Sequence, residues 1–467
     1  MYWYISFLRP PPVSVSSTAE GITITPQVAN DLRTELRFEP TPIHYQWQRL
    51  LPTPSQPLPS QVLTTFEPPA STYKPLHIPL PPKVQLNEQW RLGLFSPSPS
   101  SSSSSGTKAD AGAGPSSALM DLASDHHPGQ PLGVWSEGIT IVRPDISSTA
   151  PNGAIRGIGS EGKGKGGKSR GGGTKDGGKG KGKEKDDMGP KQGRITRDWT
   201  LPGDSGKYLK IVEQTSFDLD KKIWDSGLAL SAWLFRYLLP STSVLPHTLG
   251  KRVIDLLTSE QDLRVVELGS GTGLVSIALG LTLQDVVRAM GKREITATDL
   301  ESAIPLMDEN LTLNDLSRDL PAPVDKTVPE VDDEDDESMT KDPIQGGRVH
   351  VDARVLDWDQ SLPSWVEERW PELIIAADVT YNTSAFPSLL KTLTSLLLPS
   401  TETRSTSSRE PPLLVLAYKQ RDEAERELWS MLKEKGVEMV LVDTIVGAEQ
   451  EGKVEIWVGG TDLGRVK

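Results

Sequence analysis

The stretch VVELGSGTGLVSIA, Val265 to Ala278, carries an apolar run into Glu267 and then a turn with Gly269, Ser270, Gly271 and Gly273. Glycine accepts unusual backbone angles and leaves the main chain bare, so a ligand can lie against it. A strand, a glycine turn and a helix place that ligand beyond the strand's carboxyl end. The spacing is G-x-G-x-G, whereas nicotinamide-binding chains want a glycine or alanine one residue later, where Leu274 stands. Asp299, in ITATDLES, ends the next apolar run and has the carboxylate needed to accept both hydroxyl hydrogens of a ribose. It is also a favoured residue for capping the segment that follows. Trp358, in VLDWDQ, presents a flat ring that can pack on a purine or serve as an edge of the core. In IIAADVTYN, Ala377, Asp378 and Tyr381 fall at a fourth strand end, which faces the reacting part of a ligand in a doubly wound sheet. Trp224, in KKIWDSGLALS, either staples a helix start or walls a pocket.

The elements that must hold these residues follow from the hydrophobic pattern. From Gly193 onward, strand-like runs alternate with helix-period stretches, which indicates an α/β domain with a mainly parallel sheet. YLKIVEQ, LRVVELG, EITATDL, VHVDARVLDW, LIIAADVTY and LLVLAYK read as strands. Helices are expected over Leu228 to Leu239, LVSIALGLTL, AIPLMDENLTLN, SLLKTLTSLLL and DEAERELWSMLKEKG. VEMVLVDTIV and KVEIWVG close the chain with only GAEQEG between them, too short for a helical crossover, so they should be antiparallel neighbours.

The preceding residues are of a different kind. Residues 1–95 mix prolines with strand fragments (MYWYISFL, GITITP, WRLGLF) and a candidate helical turn, DLRTEL. They form a largely disordered or β-rich extension. MYWYISFL lacks a basic leader and reads as a strand rather than a signal peptide. Residues 96–192 are a low-complexity linker with one strand candidate near 132–144 and a Gly/Lys tract from Gly162 to Asp187. That tract has almost no apolar side chains to offset the entropy of ordering and should be disordered. It is a soluble tether or a basic arm; without aromatics to stack on bases, the nucleic-acid reading is the weaker one.

Among 467 residues there is no cysteine, which excludes disulfides, thiolate zinc sites and cysteine nucleophiles. That composition suits a reducing compartment, the cytoplasm with the nucleus as a second place. The net charge of −13 argues against a general nucleic-acid binder. No apolar run approaches the roughly 20 residues that span a bilayer. The six histidines, His126 and His127 included, show no metal-ligand spacing. The acidic run VDKTVPEVDDEDDE reads as a solvated loop and Lys419 as a surface lysine.

WDSGLALSAWL, VVELGSGTGL, ATDL, DW and AADVTY occur in the order seen in methyltransferase family 16, which the chain resembles over Arg194 to Gly459. The resemblance implies a Rossmann-like class I methyltransferase fold over residues 193–467, a seven-stranded, mainly parallel sheet ending in an antiparallel hairpin. It implies S-adenosylmethionine as cofactor and a lysine side chain of a protein as acceptor, in the class of ribosomal proteins, translation factors and chaperones. It carries Trp224 to the pocket wall, Glu267, Gly269, Ser270, Gly271 and Gly273 to the cofactor loop, Asp299 to the ribose, Trp358 to adenine and Ala377 to the pocket edge. The D-x-x-Y/F signature falls on Asp378 and Tyr381, beside the substrate amine.

An amine must be neutral to attack, yet free lysine has a pKa near about 10.4. Desolvation, hydrogen-bond acceptors and aromatic faces are the means by which such a site works, with Asp378 accepting from the amine and Tyr381 walling its channel. Three other readings compete. Another nitrogen acceptor (histidine, a protein terminus or a small molecule) would use the same strand ends. A non-catalytic interaction protein is disfavoured because every cofactor position holds a competent residue. A nicotinamide oxidoreductase is disfavoured by Leu274 and the terminal hairpin. A monomer is the default assembly.

Overall fold

A computed structural model of the chain describes residues 1–97, 130–144, 190–201, 208–215, 218–239, 245–286, 291–316, 349–398, 410–447 and 452–463. The Gly/Lys tract, the His126–His127 pair and the acidic run lie outside these residues.

The amino-terminal segments build a β-rich unit with its own core. Strands β1 (Tyr4–Arg9), β2 (Ser14–Ser16), β3 (Gly21–Ala29), β4 (Thr41–Leu51), β5 (Gln61–Phe66), β6 (Leu76–Pro79) and β7 (Gln89–Phe95) precede β8 (Val134–Ser136) and β9 (Ile139–Val142). β1, β3 and β6 form a three-stranded sheet. β4, β5, β7 and β8 belong to an eight-stranded one. Ile5, Phe7, Ile22, Ile24, Trp47, Leu92 and Leu94 are buried together between them. DLRTEL is a turn rather than a helix, because the Asn30 Oδ1 accepts the Thr34 and Glu35 N–H groups at 3.0 and 3.3 Å. Asparagine offers the backbone this alternative to a helical ladder.

β10 (Arg194–Thr200) and β11 (Tyr208–Gln214) correct one expectation. YLKIVEQ is a strand, but it pairs with β10, and β10 pairs with β8, so both extend the eight-stranded sheet. A boundary at 193 therefore cuts through that sheet. The outer edge of β11 is met by two side chains: Asn310 accepts from the Val212 N–H at 2.8 Å and Asn314 from the Lys210 N–H at 2.9 Å. Satisfying an edge in this way keeps its backbone groups from pairing elsewhere.

The seven-stranded sheet contains β12 (Leu263–Leu268), β13 (Arg293–Asp299), β14 (Val349–Val355), β15 (Leu373–Ala377), β16 (Leu413–Tyr418), β17 (Glu438–Ile445) and β18 (Val454–Gly460). Its order is β14-β13-β12-β15-β16-β18-β17. The first five pair in parallel, whereas β18 runs antiparallel to β16 and β17, as the short final link requires.

Among the described residues seven α-helices accompany these strands: α1 (Asp225–Leu238), α2 (Thr248–Leu257), α3 (Leu274–Val286), α4 (Ile304–Leu313), α5 (Ser364–Glu368), α6 (Phe386–Leu397) and α7 (Glu427–Glu434). The parallel strands are apolar on both faces because both are covered. Ile375 and Val415 pack with α1, α2 and α3, while Ile374, Ala376, Leu414 and Leu416 pack with α5, α6 and α7. Strand order reverses at β12, so a crevice opens at the carboxyl ends of β12 and its neighbours.

Candidate functional site

A cavity of about 340 Å³ lies at that crevice. This falls in the range of about 300–1,000 Å³ usual for small-ligand sites. Trp224, Glu267, Gly269, Ser270, Gly271, Asp299, Trp358, Ala377, Asp378 and Tyr381 all line it. Of the residues singled out from the sequence, Gly273 alone is set back. Its N–H donates to the Ser270 carbonyl at 2.8 Å, and its Cα faces Ile277 and Met307, so it closes the turn.

The glycine loop leaves β12 in the left-handed region, with φ of 63° at Gly269 and 55° at Gly271. A Cβ on Gly269 would stand 2.9 Å from the Val379 Cγ1 and 3.4 Å from the Trp358 ring, and one on Gly271 would stand 3.2 Å from the Asp220 carbonyl. Side chains are excluded there by both angle and space. Glu267 is buried beneath the loop, where it accepts from the Ser276 N–H at 3.0 Å and from the Ser276 hydroxyl. Burial pushes its pKa up to about 7. It ties β12 to the first turn of α3 as well as facing the cavity.

Asp299 accepts the Gly271 N–H on Oδ2 at 2.8 Å and the Leu300 N–H on Oδ1 at 2.7 Å. A carboxylate has about four acceptor positions. One on each oxygen is left for a pair of hydroxyls. Burial raises its pKa, opposed by those two N–H donors. Trp224 is the residue before α1, with extended φ and ψ of −117° and 154°, and its side chain does not cap the helix. Its indole N–H donates to the Leu219 carbonyl at 2.9 Å, which fixes the ring in the wall. Of the two sequence readings, the wall is the one the geometry supports.

Asp378 occupies an uncommon conformation, φ 62°, at the end of β15. Its carboxylate is held by both terminal nitrogens of Arg421, with 2.7 Å between Nη2 and Oδ2. It is thus a bound carboxylate with one acceptor position left per oxygen, and its Arg421 partner is what the sequence reading lacked. Tyr381 is 55% exposed at the mouth. Burial of its ring, then Asp299, Asp220 and Asp378, raise its pKa, so it stays a neutral phenol.

Arg421 was not legible as a site residue, although it stands three positions after β16 on the ligand-binding edge. Lys419 overturns the surface reading: it is 6% exposed and pairs with Asp225 at 2.8 Å and Asp31 at 3.2 Å. Burial works against its charge, but Asp225 and Asp31 raise its pKa above the ordinary value. Leu32, Asp220, Asp357 and Asp359 also line the cavity. Leu32 comes from the β-rich unit, a contribution no local pattern could announce.

The formal charges of the lining are six carboxylates (Asp220, Glu267, Asp299, Asp357, Asp359 and Asp378) against Lys222 and Arg421. Such a pocket favours cationic ligands. Among the described residues no group of three or more acidic or histidine side chains could hold a metal ion. No helix there is long and apolar enough to cross a membrane.

The family model described as lysine methyltransferase matches residues 204–325 and 328–435. The chain is 28% identical over 252 residues to Protein-lysine N-methyltransferase EFM6 of Saccharomyces cerevisiae, 52% of this chain and 82% of that protein. It is 32% identical over 130 residues to Protein N-lysine methyltransferase METTL21A of Danio rerio, 28% of this chain and 42% of that protein. A solved structure, precorrin-6y C5,15-methyltransferase from Geobacter metallireducens, aligns at 12% identity over 47% of this chain and 92% of its own. Its TM-score of 0.25 adds nothing to the strand order.

Proposed function

The chain belongs to the lysine methyltransferase family, and from this premise we propose that it moves a methyl group from S-adenosylmethionine to a lysine side chain of a protein. The observation that carries the reading is one cavity lined both by the glycine loop with Asp299 and by Asp378 with Tyr381.

The residues suit that cofactor. Gly269 and Gly271 provide a bare cradle that a Cβ would fill, and Asp299 keeps two acceptor positions for a ribose diol. Trp358 supplies an apolar face for the base, and the acidic lining suits a sulfonium. S-adenosylmethionine supplies a methyl group on a good leaving group, and the protein supplies binding and orientation.

The same acidic lining draws in the lysine ammonium. To react, the ammonium must first give up a proton to solvent at the exposed mouth beside Tyr381 and then present its lone pair. Most of the acceleration comes from alignment. Tyr381 contributes as a wall and a neutral hydroxyl. Asp378, fixed by Arg421, offers the amine a rigid acceptor. Support for a protein lysine as acceptor comes from the family and the names of its relatives. The proposal extends to a monomer as the default assembly and to the cytoplasm, with the nucleus as a second place, as the compartment that the cysteine-free composition favours. A nucleic-acid substrate is not part of it.

Transfer from labelled S-adenosylmethionine into a lysate of cells lacking the protein tests the reading, with Asp378→Ala as control. A discrete protein band that maps to lysine and vanishes in the control is expected. Label on another acceptor, or none, would overturn the assignment.

A further inference from the structure

The β-rich unit reaches the catalytic edge through Asp31 as well as through Leu32. Asp31 follows β3 at the start of the turn fixed by Asn30, with its carboxylate fully buried. Its Oδ2 accepts from the Arg421 Nη2 at 2.8 Å, and that same nitrogen lies 2.7 Å from the Asp378 Oδ2. Arg421 therefore sits between two carboxylates, one from each half of the molecule. Its guanidinium carbon also lies 5.8 Å from the centre of the Trp224 ring, so it faces a second wall of the cavity.

The other oxygen of Asp31 pairs with Lys419 at 3.2 Å, and Lys419 pairs with Asp225 at 2.8 Å. Asp225 in turn accepts the Tyr4 hydroxyl at 2.8 Å and the Tyr2 N–H at 3.1 Å. The cluster holds three carboxylates and two cations, and Asp378 and Arg421 are its members that line the cavity. A planar guanidinium has a fixed fork of donors, which a lysine cannot reproduce.

We propose that Asp31 is a positioning residue for methyl transfer: through Arg421 it fixes the Asp378 carboxylate toward the amine, making the β-rich unit part of the active site. The inference rests on the reading of Asp378 as the amine's acceptor. Without Asp31, Arg421 and Asp378 remain a two-point pair but lose the buried anchor that sets the pair's direction in the cavity. A misplacement of about 1 Å in such a site costs as much as 100-fold in rate.

Steady-state methylation by the full chain, compared for wild type, Asp31→Asn, Arg421→Lys, the double variant and Tyr4→Phe, tests this. Asp31→Asn should lower kcat about 10- to 100-fold with cofactor affinity unchanged. The double variant should lose no more than Arg421→Lys alone, because the two act as one unit. Tyr4→Phe removes a bond from the same cluster without touching Arg421, so it should lower the unfolding midpoint and leave kcat unchanged. Equal kcat losses in Asp31→Asn and Tyr4→Phe, or additive losses in the double variant, would show a merely structural role and overturn the proposal. Solvent exchange of the Arg421 guanidinium protons, followed by NMR, needs no acceptor. It should be slow in wild type and fast in Asp31→Asn, and equal rates would refute the inference even if no protein substrate were labelled.

Discussion

Replacing Asp299 by alanine removes this carboxylate's bonds within the protein together with those it offers a ligand. In the structure its two oxygens each accept one backbone N–H, from Gly271 at 2.8 Å and Leu300 at 2.7 Å. One position per oxygen is free, enough for both hydroxyls of a ribose. Hydrogen bonds to a charged group contribute about 1.5–3 kcal/mol each. Losing the equivalent of one such bond weakens binding about 10- to 150-fold, given tenfold per 1.4 kcal/mol. Titration calorimetry with S-adenosylhomocysteine, the demethylated product, measures this without any acceptor protein. Asp299→Asn, which keeps one acceptor oxygen, should fall between alanine and wild type. The raised pKa adds a sign: the binding form is ionised, so wild-type affinity should drop as pH falls through that elevated value, a component the alanine variant should lack. Affinity within about threefold of wild type for Asp299→Ala, against the minimum expected from one charged bond, would refute the ribose role.

Gly269→Ala should abolish measurable cofactor binding and cost about 2–4 kcal/mol of stability, from the left-handed angle and from overpacking against Val379 and Trp358. Calorimetry and thermal unfolding check both. Lys419→Met leaves Asp31 and Asp225 buried without that cation and should cost about 3–5 kcal/mol at pH 7. In wild type the raised Lys419 pKa means its contribution is fully present below its unfolded value and lost only in strong alkali, so a midpoint unaffected at pH 7 would sink the pairing. Glu267 has a folded pKa raised from 4.5 to about 7, so its burial costs stability progressively as pH rises between those values and no further above them. Unfolding of Glu267→Gln at pH 5 and pH 8 should show the variant gaining on wild type by roughly 2.5 kcal/mol, at 1.36 kcal/mol per unit over the just under two units that this window spans. No relative gain would place its proton elsewhere.

Local chemistry made much of this protein legible in one dimension. The alternation of apolar strands and helix-period runs set the α/β half, and GAEQEG forced the closing hairpin because six residues cannot carry a crossover. The glycine turn, Asp299, Trp358 and the Ala377–Tyr381 strand end were visible because each combines an unusual residue type with a strand terminus. Gly273 shows the limit of such reading. It belongs to the same glycine pattern as Gly269, yet the turn faces it away from the cavity.

What the tertiary structure alone decided is which distant segments share a neighbourhood. YLKIVEQ has the pattern of any half-buried strand, and pattern does not say which sheet it joins; pairing with β10 does. A lysine after LLVLAY looks like a surface residue until Asp31 and Asp225 close over it. The same holds for Arg421, whose partners lie 390 and 43 residues away. Backbone periodicity is a property of neighbours in sequence. Charge neutralisation inside a protein is a property of neighbours in space, and only the fold brings Asp31, Arg421 and Asp378 within hydrogen-bonding distance.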